Sequence, residues 1–231
     1  MTPSSDSTLI VSPHLDDAVL GCGRWLAAHS GCTVVTVFAG TPSDPAQLTD
    51  WDARCGFVSA GQAIEVRRRE DRAALAQLGA MPVWLDFCDS QYAQTPSVDA
   101  VRDALRLLLD ELRPGRVLYP LGLFHSDHFL VHDASRAALR ECPDTRALVY
   151  EDALYRGRPG LLQQRLIELA SRGTRATPAR LDGTEGASAR KAEALLAYAS
   201  QRRAFGEHGM DDAAQPERFW TLEDAEPRDG R

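Results

Sequence analysis

Short apolar runs alternate along this chain with longer segments of helical periodicity. Leu9-Ile10-Val11 reads as a first strand, and from Ala18 to His29 the residues Val19, Leu20, Leu26 and Ala27 fall at helical spacing. Thr33 to Phe38 is rich in β-branched residues and predicts a buried strand. The segment from Gly40 to Gly61 carries Pro42, Pro45, Trp51 and Gly56 and predicts a long loop, with Trp51 and Arg54 as a wall over a substrate. Ala63 to Leu78 predicts a helix closed by Gly79. Val83 to Phe87 predicts a strand, and Ser97 caps a helix that runs to Leu112 and stops at Pro114-Gly115. Beyond it come a strand at Arg116–Tyr119, a helix at His128–Leu139 and a strand at Ala147–Tyr150. A helix at Leu161–Ser171, an edge strand at Arg175–Leu181 and a last helix at Ala187–Phe205 follow. The tail after His208 is polar and predicts no regular element. Strand–helix alternation of this kind predicts a three-layer α/β fold with a mainly parallel sheet. The expectation is one domain over residues 1–231, with its core at about 9–205 and an irregular tail at 206–231.

Composition narrows the function classes. The chain has 231 residues, 44% of them hydrophobic, enough for one domain with a full core. A net charge of −7 argues against nucleic acid or an anionic membrane as partner. No apolar run approaches the roughly 20 residues of a membrane span. The first residues lack the basic start and apolar stretch of a signal peptide, so the expected compartment is the cytoplasm. Five cysteines at scattered positions suggest neither a disulfide framework nor a thiolate zinc site. A metal here would be held by nitrogen and oxygen.

Two clusters carry the candidate chemistry. Pro13-His14-Leu15-Asp16-Asp17 follows the first strand, and His125-Ser126-Asp127-His128 follows the strand at Arg116–Tyr119. In an α/β sheet the strand ends are where ligands collect. One turn lets His14 and Asp17 face a single ion while Asp16 points elsewhere, and His128 can supply a third ligand. Two histidines and one carboxylate with an open position suit a catalytic Zn²⁺, and Fe²⁺ accepts the same set. Asp16 is then free to act as a general base, His125 to stabilise an oxyanion or protonate a leaving amine, and Asp127 to orient an imidazole. Each residue also has a structural reading. An aspartate at a helix start can cap it, and loop histidines can be surface groups. His132, one turn after His128, fits a structural or supporting role better than a ligand role. His29 reads as the cap of the helix it ends.

The two motifs together resemble the PIG-L (LmbE-like) deacetylase family, whose first motif reads His-Pro-Asp-Asp-Glu and whose second reads His-x-Asp-His. Here Leu15 stands for the proline and Ala18 for the glutamate, and the second motif is intact. Arg67-Arg68-Arg69-Glu70, Asp89 and Lys191-Ala192-Glu193-Ala194-Leu195 resemble weaker family features. Leu123 stands where some members carry a tyrosine. The resemblance implies a Rossmann-like fold and His14, Asp17 and His128 as zinc ligands. It implies Asp16 as general base, His125 as acid or oxyanion stabiliser, and Arg67 and Asp89 as substrate contacts. The implied reaction removes an N-acetyl group from an amino sugar or related small amide, and the implied partner is a small N-acylated amino sugar or glycoside. The resemblance is also compatible with a homo-oligomer. A metal-dependent hydrolase of another bond, such as a phosphoester, and a non-catalytic binding protein on the same fold are the competing readings.

Overall fold

The computed structural model describes residues 7–181 and 183–225. Five parallel strands form its centre: β1 (Thr8–Ser12), β2 (Thr33–Thr36), β3 (Met81–Trp84), β4 (Arg116–Pro120) and β5 (Arg146–Tyr150). The full seven-stranded sheet has the order β3-β2-β1-β4-β5-β7-β6, with β6 at Thr174–Ala179 and β7 at Phe219–Asp224. The chain therefore builds outward from β1 in one direction and restarts beside it at β4. That reversal opens a crevice between the carboxyl ends of β1 and β4.

Strand side chains alternate between the two faces of the sheet, and two apolar layers result. Ile10, Val34, Leu118 and Leu148 pack on one face with Val19, Trp25 and Leu26 of α1 (Asp17–Ala28) and Leu75 of α3 (Ala60–Gln77). Leu9, Val11, Val35, Val117 and Val149 pack on the other with Val101, Leu105 and Leu109 of α4 (Val98–Leu112) and Val131 and Ala134 of α5 (Ser126–Leu139). These are the three layers that the strand–helix alternation predicts. Every residue of β1 is buried, which is why it reads as a continuous apolar run and not an alternating one. Ser97 caps α4 by accepting from Ala100 N, and α6 occupies Leu161–Ser171.

Apart from shifts at element ends, as where the strand expected at Val83–Phe87 lies at Met81–Trp84, three elements differ from the sequence expectation. The predicted 40–61 loop contains α2 (Asp50–Cys55), capped by Thr49, whose hydroxyl accepts from Asp52 N, and closed by Gly56 at φ 86. Six residues are too few to register as a period. The predicted last helix is split into α7 (Ser188–Leu195) and α8 (Ala199–Phe205). The break lies at Tyr198, which is fully buried and donates its hydroxyl to Asp71 at 2.9 Å. The tail is not irregular throughout: β7 inserts antiparallel between β5 and β6. Phe219 packs on one face of the sheet and Trp220 and Leu222 on the other, the alternation of a strand. No helix among the described residues is long and apolar enough to cross a membrane.

Candidate active site

The turn after β1 is fixed by its own side chains. Ser12 Oγ donates to His14 O at 2.7 Å and accepts from Ala18 N at 2.9 Å. Asp17 Oδ2 accepts from His14 N at 2.9 Å, which bends the chain so that the His14 ring returns over the first turn of α1. Asp16 precedes that helix but makes no capping hydrogen bond. After β4 the chain turns again, and His125 caps α5, its Nδ1 accepting from Asp127 N at 3.3 Å.

The two turns meet at the crevice. His14 Nδ1 lies 3.1 Å from Asp17 Oδ2, and His128 Nε2 lies 3.3 Å from that same oxygen. These three donor atoms lie within 4.8 Å of one another. The far side of each imidazole is held by another carboxylate. His14 Nε2 lies 3.1 Å from Asp127 Oδ2, and His128 Nδ1 lies 2.5 Å from Asp152 Oδ1. Carboxylates behind histidine ligands fix ring orientation and basicity in metal sites. A second group, His14, His125 and Asp127, also converges. Its Asp127 Oδ2 is already taken by Ser90 N at 3.1 Å and Ser90 Oγ at 3.2 Å as well as by His14. The donor set of His14, Asp17 and His128 fits a small divalent ion better, because carboxylates back both of its imidazoles, whereas His125 Nδ1 is occupied as the α5 cap.

Burial and charge set the protonation states. Burial pushes the Asp16 carboxyl up to about 7, and the charge of Asp17 adds to the effect. Burial also opposes ionisation of Asp17, but the charge and hydrogen bonds of His128 and His14 hold it well below the usual carboxylate range. Burial disfavours charge on His128, yet Asp17 and Asp152 raise its pKa to about 9. Burial likewise opposes charge on His14, and Asp127 and Asp17 lift it well above its ordinary value. His125 behaves in the opposite way: burial and the neighbouring His14 lower its pKa to about 4. pKa values pushed this far apart around one cavity mark these residues as a candidate functional site.

A cavity of about 340 Å³ opens over these groups, and Asp16, Asp17, His14, His125 and Asp127 line it. Asp89 also lines it, and its Oδ1 is buried with no hydrogen-bond partner among the described residues. Arg67 reaches the wall, but its guanidinium is already engaged by Asp52 Oδ1 at 2.8 Å and Cys55 Sγ at 3.3 Å. Trp51 of α2 lines the cavity and packs edge-on against Phe205, whereas Arg54 is exposed and is not part of the lining. His132 is buried beside the site and donates from Nδ1 to Pro120 O at 2.8 Å; burial and Arg165 lower its pKa to about 3, so it stays neutral. His29 closes α1 and stacks on Trp25.

Sequence reasoning missed Asp152, Ser90, Phe124, Tyr155 and Arg158. Asp152 lies two residues past the end of β5, the third strand end to carry a carboxylate, and that placement was its available signal. Ser90 sits in a single 3₁₀ turn at Ser90–Tyr92 and carries no local signature.

The fold and site define an α/β protein with a two-histidine, one-carboxylate centre at the topological switch point. The sequence pattern of the PIG-L family, described as GlcNAc-PI de-N-acetylase, matches residues 9–139, and the chain belongs to that family. Among curated proteins it is 31% identical over 170 residues to 2'-N-acetylparomamine deacetylase of Streptomyces fradiae. That match covers 65% of this chain and spans 58% of the relative's length. Among solved structures it resembles the antimicrobial reagent A40926 pseudoaglycone deacetylase, with TM-score 0.78 and 27% identity over 97% of this chain and 100% of that one. It also resembles a deacetylase in complex with teicoplanin from the teicoplanin biosynthesis pathway, with TM-score 0.73 and 25% identity over 96% and 100% of the two chains.

Proposed function

We propose that this protein is a divalent-metal-dependent N-deacetylase that hydrolyses the acetamide of an N-acetylated amino sugar carried by a larger glycoside. The observation that carries the reading is the convergence of His14, Asp17 and His128 beside an Asp16 raised to about 7. Family membership and the deacetylase relatives support the bond type.

His14, Asp17 and His128 would hold the ion, with zinc favoured and Fe²⁺ compatible with the same donors. Bound there, such an ion supplies Lewis acidity toward an amide carbonyl and lowers the pKa of a water. Asp16 would accept the proton of the attacking water and return it to the amide nitrogen as the C–N bond breaks, and a pKa near neutrality suits both transfers. His125 accepts at Nδ1 from Asp127 N, which leaves the proton on Nε2. With its pKa near 4 it is neutral at pH 7 and serves as a hydrogen-bond donor to the developing oxyanion, not as a cationic acid. Asp127 and Asp152 keep the two ligand rings in register. Asp89 would accept a hydrogen bond from a sugar hydroxyl, a role its unpartnered oxygen at the cavity wall supports. Arg67 braces Asp52 and the cavity wall.

Two-metal phosphoester chemistry is less well supported, because the two candidate ligand groups share His14 and do not form independent ion sites. The test is metal content per chain together with amine release from N-acetylglucosamine and its glycosides, for wild type and His128→Ala. The expected result is about one ion per chain and free amine, both lost in the variant. Metal without amine from any acetamide would refute the bond assignment. No metal in the wild type would refute the ligand assignment.

A further inference from the structure

Three residues at the mouth of the cavity have no part in the proton chemistry above. Phe124, directly before His125, has φ 64 and is 53% exposed. Its ring lies 5.2 Å from that of Tyr155, and the Arg158 guanidinium sits 4.2 Å over Phe124 and 5.7 Å from Tyr155. Tyr155 in turn packs edge-on against His128 at 5.4 Å. Phe124, Tyr155 and Arg158 all line the cavity. Among the described residues, no carboxylate lies in ion-pair contact with Arg158, which is exposed.

The backbone makes the arrangement unusual. Left-handed φ is sterically disfavoured for bulky residues, and it occurs here in both loops that meet at the mouth, at Phe124 after β4 and at Leu154 after β5 (φ 70). Strain that buries an aromatic ring is repaid by packing. Here it holds a ring half in solvent, under a guanidinium with no acidic partner. Such outliers cluster at ligand-holding positions.

We propose that Phe124, Tyr155 and Arg158 form an aglycone subsite for a flat aromatic group bearing an acidic substituent. This deepens the deacetylase reading and rests on it for the identity of the reaction. Phe124 and Tyr155 supply a ring surface for stacking. Arg158 supplies charge-assisted hydrogen bonds to a carboxylate or phenolate. The exposure of Phe124 places the group at the mouth, so the ligand part it meets stays partly in water while the acetamide lies deeper, over Asp16. The same guanidinium repels a polycationic amino-sugar oligomer. The site thereby selects acidic aryl glycosides over free N-acetylglucosamine.

The test compares three substrates: N-acetylglucosamine, its 4-nitrophenyl β-glycoside and its 4-carboxyphenyl β-glycoside. kcat/KM for each is measured with wild type, Phe124→Gly and Arg158→Gln. Glycine accepts the positive φ, so this variant removes the ring without demanding the same strain. In wild type the carboxyphenyl glycoside is expected to lead. Phe124→Gly should lower the ratio of either aryl glycoside to N-acetylglucosamine by about threefold to tenfold. Arg158→Gln should erase the difference between carboxyphenyl and nitrophenyl glycosides and leave the aryl advantage. Equal losses on all three substrates would overturn the subsite. Calorimetric binding of 4-carboxyphenyl β-glucosaminide separates this proposal from the reaction assignment. If no acetamide is hydrolysed but that compound binds wild type and not the two variants, the subsite stands and the deacetylase reading falls. Equal binding to all three proteins would overturn the subsite.

Discussion

Helix α1 touches two buried ionic groups, and they are built on opposite principles. Halfway along it, Lys191 Nζ pairs with Glu217 Oε1 at 2.9 Å, both side chains being 3% exposed. Lys191 also donates to Leu20 O at 2.6 Å, while Glu217 accepts from Arg24 N at 2.7 Å and Trp25 N at 3.2 Å. One positive and one negative charge cancel, and backbone groups of the helix take up the remaining hydrogen-bonding capacity. At the start of the same helix, Asp16, Asp17, Asp89 and Asp127 crowd around His14, His125 and His128. There Asp89 Oδ1 and Asp127 Oδ1 are buried with no partner among the described residues, and Asp16 is pushed up to about 7. The first group holds the C-terminal segment on the core. The second is left incomplete toward a cavity, so its unmet capacity is available to a ligand. The pair is sealed in the core while the site opens onto the cavity, and completeness of pairing is what separates architecture from chemistry.

This contrast can be broken by substitution. The largest effect on chemistry should come from Asp16→Asn, which removes the proton acceptor but none of the three proposed ligands. It should lower kcat by about 10²–10⁴-fold with metal content and folding unchanged. Loss of the metal would make Asp16 a ligand instead. Lys191→Met should act in the reverse sense. It strands the Glu217 charge and should destabilise the fold by about 3–5 kcal/mol, read by urea unfolding, with kcat per folded molecule preserved. Adding Glu217→Gln should recover part of that loss, since no uncompensated charge then remains. A cost below about 1 kcal/mol for Lys191→Met, or no recovery in the double variant, would contradict the clamp. The smallest effect is expected from Asp152→Asn, which leaves all three proposed ligands in place but weakens the hold on the His128 ring. A loss of about 10–100-fold in metal affinity is expected, with stability little changed. Wild-type metal affinity in that variant would remove Asp152 from the site.

Local signals in the chain were enough for most of the elements. The apolar run at Leu9–Val11 is β1 with one residue added at each end, and Ser97 and Leu112 bound α4 in both descriptions. The segments that misled were those whose conformation answers to distant partners. Tyr198 breaks a helical pattern because its hydroxyl is held by Asp71, more than a hundred residues earlier in the chain. Phe219–Asp224 becomes a strand because β5 and β6 offer edges on either side of it.

The same division runs through the site. Sequence by itself determined that a histidine and two aspartates follow one strand and that a His-x-Asp-His motif follows another, because these are nearest-neighbour facts about where apolar runs stop. Their convergence depended on tertiary structure. Only the strand order sets β1 beside β4, so that His14 and His128 share one Asp17 oxygen. Only burial raises Asp16 and lowers His125. Only the meeting of the loops after β4 and β5 brings Asp152 behind His128 and Arg158 over Phe124. Sequence lays down hydrophobic period and residue type along the chain, whereas pKa, pairing and cavity shape arise between segments that are adjacent only once the sheet has formed.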